Sequence, residues 1–411
     1  MTIIKKLLIG ASLSCAVANV THAATSQEMI DKGKYLTAAA DCVACHITPG
    51  GKPYAGGLEF KLPFGSLYSP NITPDKETGI GTWTDEEFVS ALQEGVGKDG
   101  KHYYPAFPYT SYTKMSRDEI LAIKAYLFSL EPVSQRPPEN DISFPFNQRW
   151  GMMFWNFVFL DEERYTRNPD KSDTWNRGAY LVEGPGHCGE CHTPRNLFQA
   201  TKDSKALAGT NIQGWKAYNI SSDPEQGIGA WSEDDLVNYF SQGAAPGYGV
   251  ASGPMADVVE HSLSQMTQED LNAIAVYLKD TQPQTEGVSK PPIFIAKAAE
   301  SSDSLGKKVF ADACSSCHLW TGQGRQTPVT TLSGLKTVND PEGTNLINIL
   351  LTGNSPIHLS VDHRMPSFKE GYSDEELAAV SSFVLKHFGT TDASINQQQI
   401  KAAKEAQSKA H

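Results

Sequence analysis

The sequence predicts an all-α protein built from three tandem units of one kind, and two observations predict it. A five-residue run, C-x-x-C-H, occurs at 42–46, 188–192 and 314–318. After each run comes a segment in which Ser or Thr stands three residues before an acid and opens an apolar stripe of helical period. These are Ser116-x-x-Glu119 before Ile120, Ile123 and Leu127; Thr267-x-x-Asp270 before Leu271, Ile274 and Leu278; and Ser373-x-x-Glu376 before Leu377, Val380 and Val384. Side chains three to four apart share one helix face, so each stripe predicts a helix packed on one side that closes its unit.

The other elements repeat in order. A short helix precedes the first two runs, carried by Gly33-Lys34-Tyr35-Leu36 and Gly178-Ala179-Tyr180-Leu181; the third copy is looser, from Gly306 through Val309 and Phe310. Downstream, Asn71-Ile72-Thr73 leads to Gly79-Ile80-Gly81-Thr82-Trp83, and Asn219-Ile220-Ser221 leads to Gly227-Ile228-Gly229-Ala230-Trp231. Helix starts follow at Thr84-x-x-Glu87 and Ser232-x-x-Asp235. Pro132–Pro138 and Pro283–Pro292 read as linkers, rich in proline and without period. The units therefore span 24–135, 173–283 and 301–390, joined by 136–172 and 284–300, with a polar, mobile tail over 391–411.

Residues 1–23 read as a secretory leader. Lys5 and Lys6 precede an apolar stretch from Leu7 to Val20, and small residues around Ala23 and Ala24 suit cleavage. Losing Lys5 and Lys6 takes the formal net charge from −12 to −14. Such acidity argues against nucleic acid as a partner. No apolar run outside the leader is long enough to span a bilayer.

Six of the seven cysteines lie in the three runs and the seventh, Cys15, in the leader, so none remains for a disulfide. C-x-x-C-H is the attachment signature of c-type haem. Two thiols on one helical turn add to the haem vinyl groups, and the histidine that follows reaches the iron from the same side. With 7 Cys and 11 His among 411 residues, chance would supply about 0.003 such runs. A redox dithiol or half a zinc site would use the cysteine pair, but neither explains the histidine in all three copies. The expectation is three covalently bound haem c groups on Cys42 and Cys45, Cys188 and Cys191, and Cys314 and Cys317, with His46, His192 and His318 on iron.

Electron carriers usually complete the iron with methionine. Met365, in Met365-Pro366-Ser367-Phe368 before the last helix, fits that role in the third unit. Tyr104-Pro105 fills the analogous slot of the first unit, which leaves Met115. In the second unit Met255, in a loop after Gly253-Pro254, is preferred over Met266, which aligns with Met115. His102, His261, His358 and His363 are alternative ligands or solvent-facing residues.

With these motifs in place, the chain resembles the tri-haem cytochrome c subunits of membrane-bound bacterial alcohol, gluconate, sorbitol and fructose dehydrogenases. The likeness runs over essentially all of the mature chain. Its most specific parts are the three haem motifs, Tyr104-Pro105-Ala106-Phe107-Pro108-Tyr109 and Gly253-Pro254-Met255. It implies three class I cytochrome c-like domains on the periplasmic side of the inner membrane. It further implies a large partner subunit holding flavin or pyrroloquinoline quinone, room for a small third subunit, and ubiquinone as acceptor. No residue indicates the partner's substrate. Two other functions stay open: a catalytic multihaem enzyme (a peroxidase or a thiosulfate-oxidising cytochrome), for which Tyr104 is the opening, and a free-standing periplasmic carrier. The aromatic stretch Trp150 to Leu160 either lies at a bilayer surface, binds a partner, or packs between the first two units.

Overall fold

A computed structural model of the chain describes residues 17–62, 64–289, 304–325, 328–354 and 364–408. Most of the expected leader, the linker from 290 onward, His358 and His363 lie outside these residues.

Helices dominate, as expected. The first stretch holds α1 (Val17–Ala39), α2 (Cys42–Cys45), the hairpin β1 (Glu59–Leu62) and β2 (Gly65–Tyr68), α3 (Asp85–Gln93), α4 (Tyr109–Tyr112), α5 (Arg117–Ser129) and β3 (Asp141–Ile142). The chain continues through α6 (Gly151–Phe159) to α7 (Asp173–Glu183) and α8 (Cys188–His192). Then come the hairpin β4 (Thr210–Ile212) and β5 (Trp215–Ala217), α9 (Glu233–Gln242), the hairpin β6 (Ala244–Ala245) and β7 (Gly249–Val250), α10 (Pro254–His261) and α11 (Gln268–Leu278). The last stretch holds α12 (Ser304–Ala313), α13 (Ser315–His318), α14 (Lys336–Asn339), α15 (Thr344–Thr352), α16 (Asp374–Phe388) and α17 (Gln397–Ser408).

In each stretch the helix before the C-x-x-C-H run packs on the closing helix: α1 on α5, α7 on α11, α12 on α16. All three crossings are made at the glycines of the repeat. A Cβ on Gly33 would stand 1.8 Å from the carbonyl oxygen of Ala122, on Gly178 1.9 Å from that of Ala273, and on Gly306 2.2 Å from that of Ala379. Backbone meets backbone at these points, and only glycine leaves room for it. The shared glycine thus has one physical cause, even in the looser third copy.

The predicted helix starts are caps. Thr84, Ser116, Ser232 and Ser373 each complete a reciprocal capping box with the acid three residues on. Thr267 accepts from the Asp270 N–H, but the Asp270 carboxylate does not return to it. That carboxylate is bound by Arg177 through Nε and Nη2, both at 2.7 Å, and by the Tyr35 hydroxyl at 2.5 Å.

The buried apolar residues form two clusters. One runs without a break through the first two stretches, joining Leu36, Phe88 and Ile123 to Leu181, Leu236 and Ile274. The other belongs to the third stretch and centres on Phe310, Leu351, Phe383 and Phe388. The third stretch meets the second through polar groups. Lys216 reaches Asp340 at 3.0 Å and Glu342 at 2.8 Å, and Asn348 donates to the Gly214 carbonyl at 2.8 Å.

Four details depart from expectation. Short strands are present; pairs such as Phe60 opposite Leu67 are too brief to show an alternating pattern in sequence. The proline-rich stretch after α5 is tied down: Asn71 donates to the Val133 carbonyl at 2.7 Å, and β3 then pairs with β2. Met255 lies not in a loop but in the first turn of α10, because Pro254 takes the first helical position, where its missing N–H costs nothing. Residues 391–411 are not a mobile tail throughout. They include α17, which packs on α16 with Ile395 and Ile400 buried and Lys404 paired to Asp374 at 2.7 Å.

Candidate haem-attachment sites

The three C-x-x-C-H runs form the short helices α2, α8 and α13. The His46 N–H bonds to the Cys42 carbonyl at 3.1 Å and the His318 N–H to that of Cys314 at 3.0 Å, which winds cysteines and histidine into one turn. Asp41 and His187, just ahead of the first two runs, adopt left-handed backbone that turns the chain sharply out of the preceding helix.

Each histidine is oriented in the same way. Nδ1 lies 2.7 Å from a backbone carbonyl: that of Pro70 for His46, of Tyr218 for His192 and of Thr330 for His318. A carbonyl only accepts, so Nδ1 carries the proton and Nε2 keeps its lone pair for iron. Burial pushes the His46 imidazole down to about 4, and lowers His192 and His318 as well, which keeps the rings neutral at neutral pH.

The carbonyls that set the tautomer were missed in the sequence, although their signal was there. Pro70 and Tyr218 stand directly before the repeated Asn-Ile pair. Asn71 and Asn219 accept the N–H two residues on, at 2.9 and 2.8 Å, through Oδ1. Their Nδ2 groups clamp the chain that leaves the unit: Asn71 onto Val133, and Asn219 onto Gln284 at 2.6 Å and Glu286 at 2.9 Å. The repeat is thus the brace behind the histidine.

Burial pushes the thiols of Cys42, Cys45 and Cys188 up to about 12, and those of Cys191 and Cys314 up to about 11. A redox dithiol needs the opposite shift, toward thiolate. Among the described residues no group of His, Cys, Asp and Glu has the arrangement of a metal-ion cage that a zinc site would need. Two thiols and a tautomer-locked imidazole on one turn fit thioether attachment of haem and proximal ligation.

The methionines divide into two kinds of place. Met115 and Met266 are equivalent and buried. Each directly precedes the cap of a closing helix and bonds back to a carbonyl, Tyr112 at 2.9 Å and Leu263 at 3.1 Å. Met255 packs half-buried against the first cluster, and Met365 half-buried against the second, its backbone paired with Asn354. Tyr104 is committed elsewhere: its hydroxyl donates to the Phe146 carbonyl at 2.6 Å and Arg149 lies 4.6 Å over its ring. His102 sits 3.3 Å from the Asn156 amide. His261 is the last residue of α10, the helix that packs on α2.

The first two attachment helices adjoin one another. Tyr112, before Met115, stands edge-on to His187 at 5.7 Å, and Thr110 donates to Glu190 inside the second run at 2.8 Å. In return, α10 of the second stretch packs on α2 of the first.

A helical chain with such sites is a c-type cytochrome, and the Cytochrome c family matches residues 30–131 and 304–388. More narrowly, the chain belongs to the family of dehydrogenase cytochrome c subunits. It is 34% identical to the fructose dehydrogenase cytochrome subunit of Gluconobacter japonicus, over 96% of this chain and 86% of that one. It is 36% identical to the cytochrome c subunit of the alcohol dehydrogenase (quinone) of Gluconobacter oxydans, over 93% and 84%. It is 41% identical to a nicotinate dehydrogenase subunit of Pseudomonas putida over 88% of its own length, but spans only 30% of that longer protein.

Proposed function

We propose that the chain is the electron-transfer subunit of a quinone-linked dehydrogenase complex, with three class I cytochrome c-like domains each holding one haem c. Cys42 and Cys45, Cys188 and Cys191, and Cys314 and Cys317 would form the thioethers, His46, His192 and His318 would bind the irons, and Met115, Met255 and Met365 would complete them, with Met266, the structural counterpart of Met115, as the alternative to Met255 in the second unit. The observation that carries this reading is the same Nδ1-to-carbonyl bond of 2.7 Å behind all three motif histidines. Haem bound there supplies reversible one-electron exchange. The residues of the chain fix the imidazole tautomer, close the crevices and exclude water.

Electrons come from a large subunit containing flavin or pyrroloquinoline quinone and pass to ubiquinone on the periplasmic side of the inner membrane, with a small third subunit as a further member of the complex. The relatives' names support a dehydrogenase partner. Among the described residues no helix is long and apolar enough to cross a membrane.

The test is haem stoichiometry in the exported protein, read as the pyridine haemochrome. Three haems per chain are expected, and two after Cys188→Ser with Cys191→Ser. Co-purification of a dehydrogenase subunit whose substrate reduces the haems completes the reading. Fewer than three haems in the native chain, or turnover of substrate by the isolated chain at a high-spin haem, would overturn it.

A further inference from the structure

Exposed apolar side chains gather on α6, among them Trp150, Phe154 and Phe157. Buried charge is found elsewhere, where the third stretch meets the second. Two charged side chains of the third stretch are buried there, Lys336 at 9% and Asp340 at 0% exposure. Asp340 has the Lys216 cation described above. Lys336 reaches across the joint: its ammonium donates to the Gln226 carbonyl and, at 2.9 Å, to that of Gly227. These carbonyls belong to the repeated segment behind His192. Ile228, the next residue, donates to the Ser221 carbonyl at 2.8 Å, and the Ser221 N–H is the one that Asn219 accepts. The same segment begins at Tyr218, whose carbonyl holds Nδ1 of His192. The Tyr218 side chain lies against the third stretch, where burial first and then the Asp340 carboxylate raise its hydroxyl. From its own side Lys336 is held firmly. It opens α14, in which Val338 is buried in the cluster of the third stretch and Asn339 accepts the Thr390 N–H at 2.8 Å.

We infer that Lys336 is a tuning residue for the second haem: the third stretch brings its buried cation to the His192 side of that haem and raises its reduction potential. The inference rests on haem attachment at Cys188 and Cys191, as proposed above. A haem iron carries one positive charge less when reduced, so a nearby cation favours the reduced state. Burial keeps that field from being screened by water and salt. Of the three motif histidines, His192 alone has a cation acting on it. Burial comes first in lowering all three imidazoles, and among the described residues Lys336 adds to it only at His192. The three histidines are otherwise braced alike, each by one carbonyl 2.7 Å from Nδ1, so the cation sets the second site apart. Docking of the third stretch then does more than add a haem of its own: it fixes the driving force for reducing the second.

The test is a redox titration of the exported holoprotein followed by haem absorbance. The second haem's wave is the one missing from the chain that carries Cys188→Ser with Cys191→Ser. A buried unit charge beside a one-electron centre changes its reduction equilibrium on the order of tenfold, which is about 59 mV. Lys336→Gln keeps an N–H donor for the two carbonyls but loses the charge, and should lower the second haem's reduction equilibrium about tenfold, in low and in high salt alike. Lys336→Met, nearest in shape, should shift the same wave by as much. Lys336→Arg keeps the cation and should stay within about threefold of the parent. Lys307→Met removes an exposed cation of the same stretch and should move the second wave by less than about twofold. A second wave that stays in place in Lys336→Gln and Lys336→Met, a shift in only one of the two, a shift that vanishes in high salt, or an equal shift in Lys336→Arg would overturn the inference. The last result would make packing the cause instead of charge. A parent chain with no haem at Cys188 and Cys191 would strike the haem reading itself, whereas three haems with an unmoved second wave would strike the role of Lys336 alone.

Discussion

Replacing Gly178 by alanine tests the three-fold helix crossing directly. The new Cβ would stand 1.9 Å from the Ala273 carbonyl oxygen, 2.6 Å from its carbon and 2.8 Å from the Tyr277 Cβ. Ordinary contact begins near 3.4 Å, so α7 and α11 must part by about 1.5 Å, and none of the three atoms on the far side is the end of a flexible chain. Overpacking of this kind costs about 1–3 kcal/mol, and separating the helices also loosens Leu181 against Leu271 and Ile274. Alanine returns about 1 kcal/mol through helix propensity. A net loss of about 2 kcal/mol is expected in urea unfolding followed by far-UV dichroism. Gly151→Ala is the control: nothing lies within 4 Å of its Cβ site, and the change should be neutral or stabilising by a few tenths of a kcal/mol. Because Gly33 and Gly178 serve one cluster and Gly306 the other, Gly33→Ala should weaken the same transition as Gly178→Ala, and Gly306→Ala a separate one. A Gly178→Ala protein as stable as the parent, or a Gly151→Ala protein equally damaged, would refute the close-contact argument.

Other outcomes follow from single contacts. Burial by itself would raise the Asp270 carboxyl, but its bonds from Arg177 and Tyr35 win and hold it below the ordinary value. A depressed carboxyl stabilises above its unfolded value, about 3.9, and loses that contribution as pH falls through the folded value. Asp270→Asn should therefore be less stable than the parent at neutral pH, with the gap narrowing progressively as pH falls below about 4; a gap that stays the same from neutral pH into the acid range would count against the Arg177–Asp270 pair. Lys216→Met leaves the side chain of Asp340, 1% exposed, without its cation, and should cost about 3 kcal/mol in the attachment of the third stretch, read as faster proteolysis between the second and third. For the second haem, Met255→Ala should abolish one haem's share of the Met-to-iron absorption band and Met266→Ala should not; the reverse result would move the ligand to Met266.

Much was legible in the sequence because it is local. Attachment needs two thiols and an imidazole on one turn, a cap needs an oxygen three residues before an acid, and a helix face needs a period near 3.6; all lie within a few residues of chain. The haem motifs, the caps at Thr84, Ser116, Ser232 and Ser373 and the closing helices could be read for that reason. Even the repeated glycine and the Asn-Ile pair were visible, though without their purpose.

Purpose came from contacts distant in sequence. The carbonyls that orient the histidines stand 12 to 26 residues from them, and the asparagines behind two of these carbonyls reach 62 to 67 residues further. Asp270 leaves its cap because Arg177 and Tyr35, 93 and 235 residues away, bind it more strongly than one backbone N–H. Residues 391–411 look polar in composition, yet Ile395 and Ile400 find the flank of α16 and part of the tail becomes a packed helix. Local residue order sets what chemistry the chain can hold and where each helix begins. Tertiary contacts alone decide how the attachment histidines are braced, which stretches share a core and which face of α6 is left to the outside, because those choices are made between surfaces that no local pattern encodes.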